Sequence, residues 1–436
     1  MLRRIDLRNG RSDAASQLPR VGGQAAHEAR QQVRAILDAV RAEGDEAVTR
    51  LAQRLDGWTG GPLEIDEAQA KTALASLNPT LRGALERAAG QIRWFHERAR
   101  PPDWRAERDG AVLGVTYSPL RRVGVYAPGG RAAYPSTVLM TVIPAKVAGV
   151  GQIVLCTPPG PDGRVNRTIL AAAALAGADQ IFRIGGAQAV AAMAYGTGTV
   201  PRCDKVVGPG NVYVAEAKRL IAADGACGID GYAGVTEVAI IADESTDPRL
   251  VAADLVAQAE HDPLATCLLV TPSESLIDAV DEALAAEVAA TRHAERVREA
   301  LAGQGAAVLV ADLDQAIAVI DAFAPEHLEV QTADAAGVAA RVRAAGAIFV
   351  GAWSPVALGD YCAGPNHTLP TGGTARFTGG LSTSDFLVPV NWVQYSREGL
   401  AALAPVVAAL GEAEDLPAHA RAVEVRLEGE GRERRG

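Results

Sequence analysis

Arg122-Val123-Gly124-Val125-Tyr126 begins a series of short apolar, β-rich runs that continues with Ile153-Val154-Leu155-Cys156, Gln180-Ile181-Phe182-Arg183-Ile184 and Lys205-Val206-Val207. A helix-like stretch separates each run from the next. A strand followed by a helix and then another strand makes a crossover, which leaves the two strands parallel. A second series repeats the pattern through Val238 to Ala242, Thr266 to Thr271, Ala307 to Val310 and Ala347 to Val350.

The alternation predicts an α/β fold with two Rossmann-like parallel-sheet domains. Working outward, Ala25 to Arg100 has helical periodicity and reads as an N-terminal helical region, and Glu398 to Val425 reads as a small C-terminal helical tail. The expected organisation is 1–120, an N-terminal helical region packing on the core; 121–235, the first Rossmann-like domain; 236–380, the second; and 381–436, the tail. Between Gly359 and Gly380 six glycines and two prolines fall within 22 residues. A structureless stretch of that length is usually functional or disordered, and Asp360, Asn366 and His367 favour function.

Composition agrees with a helix-covered sheet. Hydrophobic residues make up 48% of the 436 residues but aromatics only 4%, so the core must be built from Ala, Val, Leu and Ile. A formal charge of −10 and a pI near 5.3 argue against nucleic-acid or anionic-membrane surfaces, which need excess Lys and Arg. Apolar stretches such as Ile169 to Ala178 and Ala187 to Tyr195 fall short of the ~20 residues that span a bilayer. Met1 to Asp6 carries basic residues without an apolar segment, so no signal peptide is read. The five cysteines, Cys156, Cys203, Cys227, Cys267 and Cys362, are odd in number and form no CxxC pair, which fits reduced thiols and a cytoplasmic location. Cys362 lies near Asp360, and either a metal ligand or a small bystander fits it.

Four of the seven histidines sit in separate polar patches: Gln258-Ala259-Glu260-His261, Pro325-Glu326-His327-Leu328-Glu329, Asp360 through Gly364-Pro365-Asn366-His367, and Glu414-Asp415-Leu416-Pro417-Ala418-His419. Imidazole is both a common metal ligand and the side chain most easily poised as a base near neutral pH. Asp247-Pro248 looks like the start of a helix of about fourteen residues. On it Val251 and Leu255 form an inward stripe that Gln258 and His261 extend. The spacing of three would let one ion meet both; alone, the segment equally fits a capped helix end. Glu326-His327 follows Pro325, which suggests a helix start or tight turn, and offers a carboxylate beside an imidazole. A surface pair is the bland alternative. HExxH spacing is absent, which weighs against a zinc protease. No GxGxxG follows a strand, but Gly185-Gly186-Ala187-Gln188 and Gly208-Pro209-Gly210-Asn211 each follow a strand and open a helix, where backbone N–H groups can take a pyrophosphate.

Together with Arg122 to Gly130, Tyr134-Pro135-Ser136-Thr137-Val138, Val207 to Val214, Ala257 to Pro263 and Gly364 to Thr371, these segments closely resemble the L-histidinol dehydrogenase family from about Arg121 to Arg426. The resemblance implies a homodimer with intertwined tails, one Zn²⁺ per subunit, and oxidation of L-histidinol to L-histidine in two NAD⁺-dependent steps through an aldehyde. It implies Gln258, His261, Asp360 and His419 as zinc ligands, His327 as the base for the hydroxyl proton, and Glu326 as activator of the hydrating water. Thr236, His367 and Glu414 would contact substrate along with the ligands and His327; Tyr126, Gln188 and Asn211 would contact NAD⁺. The chain departs from the family where Val235 replaces a proline in Ala233-Gly234-Val235-Thr236-Glu237, and where Val388-Pro389-Val390 replaces basic residues. Competing readings are a zinc/NAD dehydrogenase for another small amino alcohol or polyol, a zinc hydrolase, and an inactive scaffold.

Overall fold

Residues 2–9, 17–20, 24–129, 133–231 and 234–428 are described by the computed structural model. Gly130 of the Arg122 to Gly130 segment, Ala233 of the Val235 segment and the polar end 429–436 lie outside them. In chain order the strands are β1 (Arg3–Asp6), β2 (Glu64–Ile65), β3 (Trp104–Arg108), β4 (Ala111–Pro119), β5 (Arg122–Tyr126), β6 (Gln152–Thr157), β7 (Gln180–Arg183), β8 (Lys205–Val207), β9 (Gly228–Ile229), β10 (Glu237–Ala242), β11 (Thr266–Thr271), β12 (Gly305–Leu309), β13 (His327–Gln331), β14 (Ala347–Val350) and β15 (Leu387–Tyr395).

They form two six-stranded sheets, ordered β2-β7-β6-β5-β8-β9 and β1-β12-β11-β10-β13-β14, and a three-stranded sheet, β15-β4-β3. In the first sheet β5 to β9 are parallel and only β2 runs antiparallel, against β7. The second is parallel throughout. Every residue of β10 and β11 is buried, because helices cover both faces; that is why these strands read as unbroken apolar runs. The direction of winding reverses at β5/β8 in the first sheet and at β10/β13 in the second, the position where such folds open a crevice.

The chain divides into two compact units, Met1–Ala99 with Leu120–Phe386, and Arg100–Pro119 with Leu387–Gly436. In the first unit the helices Gln24–Glu43 and Asp45–Leu55 place Val33, Leu37, Val48 and Leu51 in one hydrophobic cluster with Val154, Phe182 and Val190 of the first sheet and its helices. The N-terminal region is thus part of that core, and it is not helical throughout. β1 adds an edge strand to the second sheet and β2 one to the first.

In the second unit β3, β4 and β15 pair antiparallel, followed by helices Arg397–Ala413 and Pro417–Leu427. The tail therefore opens with a nine-residue strand that periodicity did not signal. Pro389, which lacks an N–H, is tolerated because β15 is an edge strand. Residues 100–119 group with this tail because β4 pairs β15 along its whole length.

Candidate active site

The helix Pro248–Ala259 begins as its sequence requires, with the Asp247 side chain accepting the Arg249 N–H and proline in the first turn. It ends at Ala259. His261 lies just beyond in a turn, with its N–H donated to the Gln258 carbonyl at 3.2 Å. Val251 and Leu255 are fully buried and Gln258 is 2% exposed. The Gln258 amide nitrogen donates to Thr236 Oγ1, which leaves the amide oxygen as its coordinating end.

Glu326-His327 does not start a helix; His327 is the first residue of β13. β13 lies beside β10 with Val238 opposite His327, and the two site residues straddle the backbone of Glu237. Glu326 Oε2 accepts the Glu237 N–H at 2.9 Å and the Thr236 hydroxyl at 2.5 Å. His327 Nδ1 donates to the Glu237 carbonyl at 3.1 Å and lies 3.5 Å from Glu326 Oε2. That bond fixes the tautomer, so Nε2 carries the lone pair.

Asp360, on the short helix Val356–Tyr361, lies between two histidines: Oδ2 is 3.6 Å from His261 Nε2 and Oδ1 is 3.9 Å from His327 Nε2. His367 returns to the same residue, its Nδ1–H donating to the Asp360 backbone carbonyl at 2.8 Å while Nε2 meets Thr137 Oγ1 at 3.2 Å. Gln258, His261, Asp360, Glu326, His327, Thr236 and His367 are thus linked by adjacency or direct contact. Glu414 and His419 belong to the second unit, at and beyond the end of the helix Arg397–Ala413, and both are exposed.

Burial sets the protonation. Desolvation pushes the Glu326 carboxyl up to about 7, against the pull of its two hydrogen bonds, and pushes His327 down toward the neutral form. Glu237 is likewise raised to about 7 by burial, with Arg20 opposing. A carboxylate near 7 and a neutral imidazole suit proton transfer near neutral pH.

Could the donors hold zinc? Among the described residues no three His, Cys, Asp or Glu side chains cluster as a metal site. His261 Nε2 and Asp360 Oδ2 nevertheless stand close to the spacing of about 3.3 Å that two tetrahedral ligands near 2.0–2.1 Å from one ion require. Gln258, His261 and Asp360 offer N and O donors of the kind zinc takes, and an open site built on them would need one further ligand. Cys362 is a free, partly buried thiol for which no contact with these groups is seen.

A cleft of about 1810 Å³ joins His261 to Tyr126, Gln188 and Asn211. Tyr126 ends β5 and Asn211 follows β8, so both flank the reversal point of the first sheet. The glycine turns carry hydrogen bonds from other parts of the chain. Gly185 N–H is donated to Asp56 Oδ2 at 2.9 Å, Gly186 N–H to the Tyr126 hydroxyl at 3.1 Å and Gly208 N–H to Asp230 Oδ2 at 2.7 Å. Side-chain oxygens thus take three of the N–H groups at these turns. Arg50, Arg54, Arg292 and Arg296 line the cleft together with Asp56, Asp262, Glu295 and Glu299.

Known proteins share this fold. A family model described as histidinol dehydrogenase matches residues 20–427. The chain belongs to the histidinol dehydrogenase family. It is 48% identical to a histidinol dehydrogenase of Thermobifida fusca, covering 98% of each chain, and 47% identical to one of Pseudomonas aeruginosa, covering 91% of this chain and 90% of the relative. A crystal structure of histidinol dehydrogenase from Elizabethkingia anophelis superposes with a TM-score of 0.93 at 31% identity, covering 98% of each chain. Membership in this family makes the chain an NAD-dependent oxidoreductase. Among the described residues no helix is long and apolar enough to cross a membrane.

Three residues to which the sequence reading gave no role make contacts at or behind the site. Asp56 organises the Gly185 turn and takes a hydrogen bond from Gln188 Nε2 at 3.1 Å. Thr137 faces His367. Behind the site, Glu329 accepts the Val356 N–H at 2.9 Å and shares Gln331 Nε2 with Asp254, tying together the elements that carry Gln258, His327 and Asp360. For Asp56 the only signal was an acid before Gly57 at a helix end, which many helices share.

Proposed function

We propose that the chain oxidises L-histidinol to L-histidine through L-histidinal, using two NAD⁺, as a cytoplasmic homodimer with one Zn²⁺ per subunit. The observation that carries this reading is the Asp360 carboxylate set between His261 and His327, with Glu326 alongside.

Zinc, when held by Gln258, His261, Asp360 and His419 of the partner subunit, supplies a Lewis acid that anchors the substrate amine and imidazole. Tyr126, Gln188 and Asn211 would hold NAD⁺, which when bound would supply the hydride acceptor for each oxidation. The cleft exceeds the ~300–1,000 Å³ that holds a drug-sized ligand, so a dinucleotide and a small substrate both fit.

His327 Nε2 takes the hydroxyl proton in the alcohol step, its ring held by the Glu237 carbonyl. Glu326 takes a proton from the water that adds to the aldehyde, which becomes the hydrate oxidised in the second step. Thr236 bridges Gln258 to Glu326, so the base is oriented through the residue that holds the metal. His367 holds Asp360 through Nδ1–H and can turn Nε2 from Thr137 to substrate. Glu414 of the partner subunit contacts substrate beside His419 of the partner subunit. Support for the dimer comes from apolar side chains left exposed on the second unit, Val390 at 49% and Val393 at 68% among them.

The test is a steady-state assay of NADH formation with histidinol before and after chelation. Activity should be lost with the metal and return with Zn²⁺. No NADH from histidinol, or full activity of the metal-free protein, overturns the reading.

A further inference from the structure

We propose that the buried Lys218–Asp230 ion pair positions the cofactor, by holding both backbone groups of Gly208 and so fixing the turn that presents Asn211 to the cleft. This rests on the reading that Tyr126 and Asn211 face NAD⁺. Lys218 lies on the helix Val212–Ala223 that leaves the turn, and Asp230 follows β9. The Lys218 ammonium donates to the Gly208 carbonyl at 3.0 Å, and the Gly208 N–H donates to Asp230 Oδ2 at 2.7 Å. Between them the ammonium meets Asp230 Oδ1 directly. The two side chains are only 3% and 2% exposed.

A buried ion pair is weak support for stability, since desolvating both charges offsets most of their attraction, and an apolar pair of similar volume would serve the fold as well. What an apolar pair could not do is bind both the N–H and the C=O of one residue. Gly208 is where that matters. Its φ is +109°, and a Cβ there would stand 2.1 Å from the Tyr126 carbonyl, so the turn presses on the end of β5 with no side chain between. Two residues on, a Cβ on Gly210 would stand 2.5 Å from Val214.

Asn211 then caps the helix, its Oδ1 accepting the Tyr213 and Val214 N–H groups. This leaves its amide nitrogen as the donor for a ligand. A shift at Gly208 would therefore reach Asn211 along the chain and Tyr126 by contact. Tyr126 in turn receives the Gly186 N–H of the other glycine turn. One pair thus sets the cofactor face on both sides of the sheet's reversal point, while Gln258, His261 and Asp360 are held by other groups.

Removing either partner alone strands a buried charge, and such a variant can fail to fold. The informative protein is therefore the neutral, apolar double variant Lys218→Met/Asp230→Leu, beside Asn211→Ala and the wild type, each as zinc-loaded holoenzyme. NAD⁺ affinity is measured by titration calorimetry, bound zinc by metal analysis, and KM for NAD⁺ and for histidinol by steady-state kinetics. The double variant should bind NAD⁺ on the order of tenfold more weakly, about 1.4 kcal/mol. Bound zinc, KM for histidinol and kcat at saturating NAD⁺ should stay near wild type. A merely structural role would lower the active fraction, and with it kcat, without moving KM for NAD⁺. If Asn211→Ala weakens NAD⁺ but the double variant stays within about twofold of wild type, the positioning role is overturned and the cofactor reading stands. If neither variant weakens NAD⁺, the cofactor reading fails and takes the proposal with it.

Discussion

Replacing Glu326 by glutamine separates the two oxidations that the proposed mechanism joins. Glu326 Oε2 receives the Thr236 hydroxyl at 2.5 Å and the Glu237 N–H at 2.9 Å. An amide oxygen can keep both bonds, so Glu326→Gln preserves shape and removes only the ability to take a proton. A positioned general base is worth ~10²–10⁴ in rate, so oxidation of supplied histidinal should slow about a hundredfold or more. The alcohol step, which uses His327, should slow only a few-fold by comparison, and His327→Ala should show the reverse. pH gives a second reading. Burial places the Glu326 carboxyl at about 7; it is protonated below that value and ionised above it, and only the ionised form can act as base. Wild-type turnover of histidinal should therefore rise about tenfold from one unit below that value to one unit above, and the variant should lose this rise. Stopped-flow NADH absorbance with histidinol and with histidinal measures both. Equal defects on the two substrates, or an unchanged pH profile in the variant, would refute the division of labour.

His261→Ala should sharply weaken zinc binding by metal analysis while the thermal transition stays in place, because a 436-residue chain does not depend on a catalytic metal for its core; added Zn²⁺ should restore only part of the activity. Co-refolding inactive His261→Ala with inactive His419→Ala should regain roughly a quarter of wild-type activity, since random pairing makes half the dimers mixed and half of their sites whole; a dead mixture would show that each tail serves its own chain. Glu329 is raised to about 9 by burial first and by Asp254 second. A carboxyl with a raised folded pKa contributes stability that is full below its unfolded value and lost as pH rises through the folded one. Asp254→Asn removes the neighbouring charge, so the fall in Tm between roughly pH 6 and pH 9 should shrink; calorimetry showing the same fall in both proteins would count against the carboxyl pair.

Most strands of the two six-stranded sheets were legible because they are buried and separated by helices, so β10 and β11 could be read to the residue or nearly so, whereas β13, taken for a helix start or tight turn, and the two-residue β9 were not. The helix bearing Gln258 was legible from Asp247-Pro248, whose capping chemistry is local. β3, β4 and β15 were not. β3 is exposed along its whole length, and β15 pairs with residues some 270 positions away, a partnership that no window of sequence displays. β1 and β2 are too short for periodicity and exist as strands only because a sheet edge receives them. The same limit applied inside the site. Histidine patches stood out by composition, whereas the service of Glu237's backbone to both Glu326 and His327 depends on the register of β10 against β13. The partners of the glycine turns were hidden for a related reason: Asp56 and Asp230, which accept the Gly185 and Gly208 N–H groups, lie far off in sequence or on another strand's end.

The most direct measurement is an end-point titration of limiting histidinol with excess NAD⁺ and the zinc-loaded enzyme, with NADH read by absorbance and the product identified by chromatography. An alcohol-to-acid conversion releases four electrons and each NAD⁺ takes two, so about two NADH should form per histidinol, with histidine as the product. A plateau at about one NADH per histidinol, with the aldehyde accumulating, would contradict the account.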